Sequence, residues 1–169
     1  MTEIFDLDKV ISLLSYDAAS PMLFNSGLFL FLFVGFAMGY ALLSRRSTLR
    51  ILYVVLFSLY FYYKSSGIYL LLLLFVSLSD YLIGGRIASA VSRRAKRWWV
   101  AASVVLNLGL LGYFKYTNFF IDIANNIFGE GFLQFQNIFL PIGISFFVFQ
   151  SMSYTIDLYR GTIKPLDRY

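Results

Sequence analysis

Apolar runs long enough to cross a lipid bilayer recur along this chain, separated by short basic loops. About 20 apolar residues span the hydrocarbon as a helix, and bilayer hydrocarbon leaves no water to satisfy an open backbone. The expected fold is therefore all-α, a polytopic helical membrane protein. It has about five membrane segments preceded by an N-terminal interfacial helix, and forms an incomplete bundle. At 59% hydrophobic residues, the chain exceeds the roughly half apolar content of a soluble domain. Its 19 Phe and 13 Tyr suit lipid-facing surface and interfacial belts.

Missing residue types narrow the chemistry. There is no Cys, which excludes disulfides, thiolate metal sites and cysteine nucleophiles. There is no His, the commonest general base near neutral pH. A mechanism that needs a histidine base cannot be completed by these 169 residues. The net charge of +5 does not suggest a nucleic-acid partner, because the cations sit in loops where they set membrane orientation. No catalytic residue, bound cofactor or metal site is expected from the chain itself.

Residues 1–21 form an amphipathic interfacial segment, with Ile4, Leu7, Ile11 and Leu14 at helical spacing among Asp6, Asp8, Lys9 and Asp17. Residues 22–169 form the membrane domain. Ser20-Pro21 predicts a helix start, and Met22 to Leu43 has spanning length. Gly35 and Gly39 make a GxxxG pair that allows a close helix neighbour. A basic turn, Ser44 to Arg50, leads to a second span, Leu49 to Lys64, which ends in an aromatic belt at Tyr60-Phe-Tyr-Tyr.

A third span, Gly67 to Ile83, carries Asp80 near its end. That carboxylate either serves a polar pocket or bonds to neighbouring helix-end backbone, and the second reading is preferred. Gly84-Gly85 is expected to break or loosen the helix. Arg86, Arg93, Arg94, Lys96 and Arg97 follow, with Trp98-Trp99 as an anchor before a fourth span ending at Tyr116. Asn118 to Phe139 is too polar for a clean span and reads as an interfacial helix plus a loop around Gly129-Glu-Gly131. A fifth segment starts at Pro141. The loops after spans one and three are basic, which makes them cytoplasmic and places the N-terminus outside.

The fifth segment is the most polar of the membrane runs. Gly143, Gln150 and Asp157 recur every seven residues, with Tyr154 beside them, so they share one helix stripe. Ile144, Val148 and Met152 lie on other faces. A polar stripe in a membrane faces protein or water, not lipid. It can wall a substrate cavity or fix the bundle through interhelical hydrogen bonds. Arg160, three residues beyond Asp157, completes the set at the cytoplasmic end. Ser145, Ser151 and Ser153 have no base at hand.

Leu140-Pro-Ile-Gly-Ile-Ser-Phe-Phe-Val-Phe-Gln-Ser-Met-Ser-Tyr-Thr-Ile-Asp-Leu-Tyr-Arg-Gly161 closely resembles the signature of bacterial membrane-bound O-acyltransferases, of the alginate O-acetyltransferase type. Asn107 to Phe120, Met22 to Ser26 and Ser79 to Gly84 resemble further motifs of the same group, in family order. The resemblance implies a helical bundle around a tunnel, with a catalytic His in the family's C-terminal half. This chain stops at Tyr169, so it reads as the N-terminal part of such an enzyme.

The implied function is transfer of an acyl group, acetyl by type, from a thioester donor to hydroxyls of an exported polysaccharide. The implied partners are the lipid bilayer, the polysaccharide acceptor and a periplasmic or acyl-carrier protein. The implied location is the bacterial inner membrane. Two alternatives stand beside it: D-alanyl transfer to a cell-envelope polymer, and a non-enzymatic membrane subunit such as a transporter half. The chain shows no inverted repeat of the kind transporters carry.

Overall fold

The computed structural model describes residues 15–17, 21–43 and 46–164. The amphipathic segment expected over residues 1–21 falls almost entirely outside them. Every regular element among the described residues is helical. The chain packs as two compact units, residues 1–71 and 72–169.

In the first unit, α1 (Gly27–Leu42) is capped by Ser26, whose side chain accepts from the Phe29 amide at 3.2 Å. The helix start expected at Ser20-Pro21 is thus corrected to Ser26, because a side-chain oxygen there satisfies one of the orphan amides. Helix α2 (Ser47–Ser66) follows. Aromatic rings join the two helices: Phe36 stacks on Phe57 at 4.2 Å and on Tyr53 at 5.2 Å, while Phe29 meets Phe61 edge-on at 5.1 Å. Of the GxxxG pair, Gly39 receives the Tyr53 ring and Gly35 has nothing near it. The close approach is made by a side chain, not by a neighbouring backbone.

The end of α2 is unexpectedly dry. Lys64, Ser65 and Ser66 are all buried. Ser65 Oγ donates to the Met22 carbonyl at 2.7 Å, Lys64 Nζ donates to the Ser15 carbonyl, and the Met22 amide donates to the Lys64 carbonyl at 3.2 Å. The Tyr16 ring lies against Gly67, where a Cβ would sit 2.6 Å from Tyr16 Cε1. Gly67 also has φ of 58°, so two independent constraints select glycine there.

A short 3₁₀ turn, Gly67–Tyr69, leads into α3 (Leu70–Ser89). Gly84 and Gly85 lie inside α3 and do not break it. Gly84 is buried, and a Cβ there would lie 3.0 Å from Tyr154 Cε1. It permits a close helix contact, a common use of glycine between membrane helices. Because α3 runs on to Ser89, Asp80 is mid-helix, not near an end.

Helix α4 (Arg93–Leu111) is capped by Ser92, which accepts from the Ala95 amide at 3.1 Å. It continues through a π-helical turn, Gly112–Tyr116, into α5 (Thr117–Phe128). The boundary expected near Tyr116 is therefore a change of helical pitch within one rod. A loop follows, tied to α5 by two reciprocal amide pairs. Asn118 exchanges hydrogen bonds with the Gln136 backbone at 2.8 and 2.9 Å, and Asn125 with the Leu133 backbone at 3.0 and 2.8 Å.

Helix α6 (Ile144–Arg160) is bounded by Gly143 (φ 75°) and Gly161 (φ 77°). The Thr162 amide reaches the Asp157 carbonyl and the Gly161 amide reaches the Leu158 carbonyl. That double closure is a Schellman motif, and it needs a left-handed residue.

In the second unit α4 runs antiparallel to both α3 and α6. Residue 97 meets 159, residue 103 meets 155, and Leu111 packs with Ile144 and Val148. On the other side residue 80 meets 103 and 107, and Arg86 lies over Trp99. The apolar base is Leu111, Ile144 and Val148, with Leu72, Phe114 and Phe147 against it. The outward stripe of α3, Leu71, Phe75, Leu78 and Leu82, is exposed. By length and composition, Ser47–Ser89 and Arg93–Phe128 are long and apolar enough to cross a membrane, and α1 is a shorter apolar helix.

Candidate functional site

Helical spacing assembles a buried polar cluster from three helices. Ser103 and Asn107 are one turn apart on α4, and Ser151 and Thr155 are one turn apart on α6, so each pair shares a face. Both faces turn toward Asp80 on α3. Asp80 is 2% exposed, and Ser103, Asn107 and Thr155 are 0% exposed. Small hydroxyl residues at these positions let the helices approach while supplying donors.

Asp80 gathers three donors. Ser103 Oγ donates to Oδ1 at 2.6 Å, Asn107 Nδ2 donates to Oδ2 at 2.9 Å, and Ser151 Oγ donates to Oδ2. Ser103 and Thr155 hydroxyls lie 3.0 Å apart, and Thr155 Oγ1 donates on to the Met152 carbonyl at 3.0 Å. Asn107 Nδ2 also reaches the Ser103 carbonyl at 3.0 Å. Asn107 Oδ1 is buried and has no partner among the described residues. Each partner of Asp80 found here is a neutral donor. Such directional networks fix helix register, because a shifted helix leaves polar groups unpaired in a medium without water.

Above the cluster, a groove of about 360 Å³ opens between α3 and α6. Asp80 and Ser151 form part of its wall, with Ser77, Gln150 and Tyr154 around them and Leu73 and Phe147 as apolar lining. The groove thus reaches the carboxylate from the α3–α6 side.

The structure separates the residues of the expected stripe. Gln150 and Tyr154 line the groove; Gln150 is exposed and Tyr154 half-buried. Gly143 is the left-handed residue that starts α6. Asp157 is half-buried one turn further on, and its carbonyl closes the C-terminal cap. Arg160 is exposed and lines a different cavity, at the basic end of α4 and α6. The face of α6 that packs into this unit carries Ile144, Val148, Met152, Thr155 and Leu158.

Two expectations from sequence need correction. Asp80 bonds to side chains of two other helices, not to helix-end backbone. Ser151 has a carboxylate at hand, because folding brings Asp80 to it across 71 positions. The signal for the cluster was present in the paired spacings 103/107 and 151/155. Nothing in the linear order joined them to residue 80.

Chemically, the cluster offers hydroxyls, an amide and a carboxylate beside an accessible groove. It can hold and orient a hydroxyl-rich ligand. Among the described residues no group of acidic side chains is placed to hold a metal ion.

Sequence comparison shows what the chain is similar to. The chain is 42% identical, over 83% of its length, to a protein named as a probable alginate O-acetylase of Pseudomonas aeruginosa. It is 42% identical over 83% to the corresponding Azotobacter vinelandii protein. It is 35% identical over 88% to a peptidoglycan O-acetyltransferase of Helicobacter pylori. The matched segment spans only 28 to 29% of the length of those relatives. No family model and no solved structure matches the chain. Over the residues it shares with these relatives, the chain is similar to the N-terminal part of alginate and peptidoglycan O-acetyltransferases.

Proposed function

We propose that these helices form part of the core of an enzyme that transfers an acetyl group to hydroxyls of an exported polysaccharide. The observation that carries this reading is 35 to 42% identity to named O-acetyltransferases over at least 83% of the chain. The groove lined by Gln150, Ser151 and Tyr154 is one wall of the substrate cavity, and Asp80 with its donors holds that wall in register. The general base is a histidine supplied by residues outside these 169, which contain none. A thioester serves as acyl donor, and a periplasmic or acyl-carrier protein assists.

The same reading places the chain in the bacterial inner membrane, with about five membrane segments and the N-terminus outside. The exposed apolar stripe of α3 supports a lipid-facing surface. The helix directions support the topology. The ends of α3 and α6 and the start of α4 carry Arg86, Arg160 and Arg93 to Arg97, so the basic residues gather at one end of the unit, as the positive-inside rule requires of a cytoplasmic face.

The test uses the full natural protein in its membrane, assayed for acetyl transfer to polysaccharide. Gln150→Leu and Tyr154→Phe should leave expression and folding intact and lower turnover by about tenfold, the loss of one oriented hydrogen bond to a polar substrate. Normal turnover in both variants would remove the groove from the reaction. Unchanged polysaccharide acetylation after deletion of the gene would defeat the enzyme reading itself.

A further inference from the structure

Helix α4 begins in a way that helix electrostatics oppose. Its first five residues include Arg93, Arg94, Lys96 and Arg97, and its first turn contains no acid. The helix dipole is positive at that end, so cations there repel it and an anion is favoured. The positive-inside rule accounts for cations in this loop. It does not account for how they are arranged.

Arg93 and Lys96 from α4 converge with Tyr159 and Arg160 from the end of α6 on one cavity of about 420 Å³. That volume falls within the range of small-ligand sites. Val91, itself exposed, stands at its edge, and among the described residues the lining contains no carboxylate. Arg97 Nε donates to the Tyr159 hydroxyl at 3.2 Å, which braces the phenol beside the cations. Ser92 caps the helix through its side chain.

We propose that this cavity binds the phosphate group of an anionic ligand. Guanidinium, ammonium and phenol donors converging from two helices match phosphate oxygens. An anion there also relieves the repulsion among the cations and with the helix start. Two sources carry this chemistry, an anionic phospholipid headgroup and a soluble phosphate ester. The site lies at the opposite end of α6 from Gly143, and it does not depend on the acetyltransferase reading.

The full natural protein, reconstituted in phosphatidylglycerol/phosphatidylcholine or pure phosphatidylcholine nanodiscs, tests the proposal. Bound phosphatidylglycerol is counted by native mass spectrometry, and inorganic pyrophosphate binding is measured by calorimetry. Lys96→Gln and Arg160→Gln should each weaken binding about fivefold, while Arg160→Lys should keep most of it. Arg94→Gln removes the same charge outside the cavity lining and should change binding less than about twofold. Phosphatidylglycerol retention that pyrophosphate does not displace identifies the lipid source. Pyrophosphate binding that Lys96→Gln weakens identifies the soluble one. Equal losses from Arg94→Gln and Lys96→Gln would reduce the cavity to a diffuse field and overturn the proposal. So would the absence of both phosphatidylglycerol retention and pyrophosphate binding.

Discussion

The two units of this chain pack their helices by different means. The α1–α2 pair is joined by rings, Phe36 on Phe57 and Tyr53, and Phe29 on Phe61, and no residue of α1 is buried. The α3–α4–α6 unit is joined at its centre by hydrogen bonds to Asp80 from the solvent-free Ser103 and Asn107 and from the half-buried Ser151. Ring contacts are broad and tolerate small shifts. Hydrogen bonds in a dry medium are directional, so a small shift leaves a donor or acceptor unpaired. The second unit is therefore the one built to hold a fixed geometry, and it is the one that carries the groove.

The largest expected effect tests that contrast. Asp80→Ala leaves Ser103, Asn107 and Ser151 without their shared acceptor and should destabilise the protein by about 3 kcal/mol. Phe36→Leu removes ring contacts in the other unit and should cost about 1 kcal/mol. Unfolding in mixed detergent micelles measures both. Equal losses would show that the polar cluster contributes no more than the rings.

An intermediate effect separates adjacent glycines. Gly84→Ala brings a Cβ to 3.0 Å from the Tyr154 ring and 3.4 Å from Leu158. It should destabilise the α3–α6 contact by about 1 to 2 kcal/mol. Gly85→Ala meets nothing within 4 Å and should be neutral, or stabilising by about 0.5 kcal/mol from the lower entropy of the unfolded chain. Reversed signs in a thermal denaturation series would mean that Tyr154 does not sit against α3.

The smallest effect concerns the loop after α5. Asn125→Ala removes both bonds to the Leu133 backbone at a cost of about 1 kcal/mol. Hydrogen exchange at the Leu133 amide should accelerate about fivefold. Exchange unchanged from that of the parent protein would show that the loop is held by something else.

Much of this architecture is legible in the residues. Apolar run lengths locate the helices, and the basic loops mark one end of the second unit. Gly129 and Gly143 stand where the chain leaves and re-enters helix. Finer features were not legible. Ser20-Pro21 carries a good helix-start signal, yet Ser26 caps α1, because the segment before it is held by Lys64 and Ser65. Gly84-Gly85 resembles a breaker but lies inside α3, where the missing side chain of Gly84 makes room for Tyr154. Lys64 resembles a loop charge and is buried, because the Ser15 carbonyl accepts from it.

The sequence by itself determined that the chain is helical with apolar runs of membrane-spanning length, that it is similar to O-acetyltransferases, and that α6 carries polar groups within an apolar run. Only the tertiary structure decided which polar groups meet. In a soluble protein, hydrophobicity marks the face that turns inward. In a bilayer the lipid is as apolar as the core, so the pattern on a helix does not say which face meets protein. Val148 and Ile144, not Gln150, turn out to face the neighbouring helices. Asp80 acquires its setting from Ser103, Asn107 and Ser151, residues 23 to 71 positions away. Only the packing of three helices brings them together.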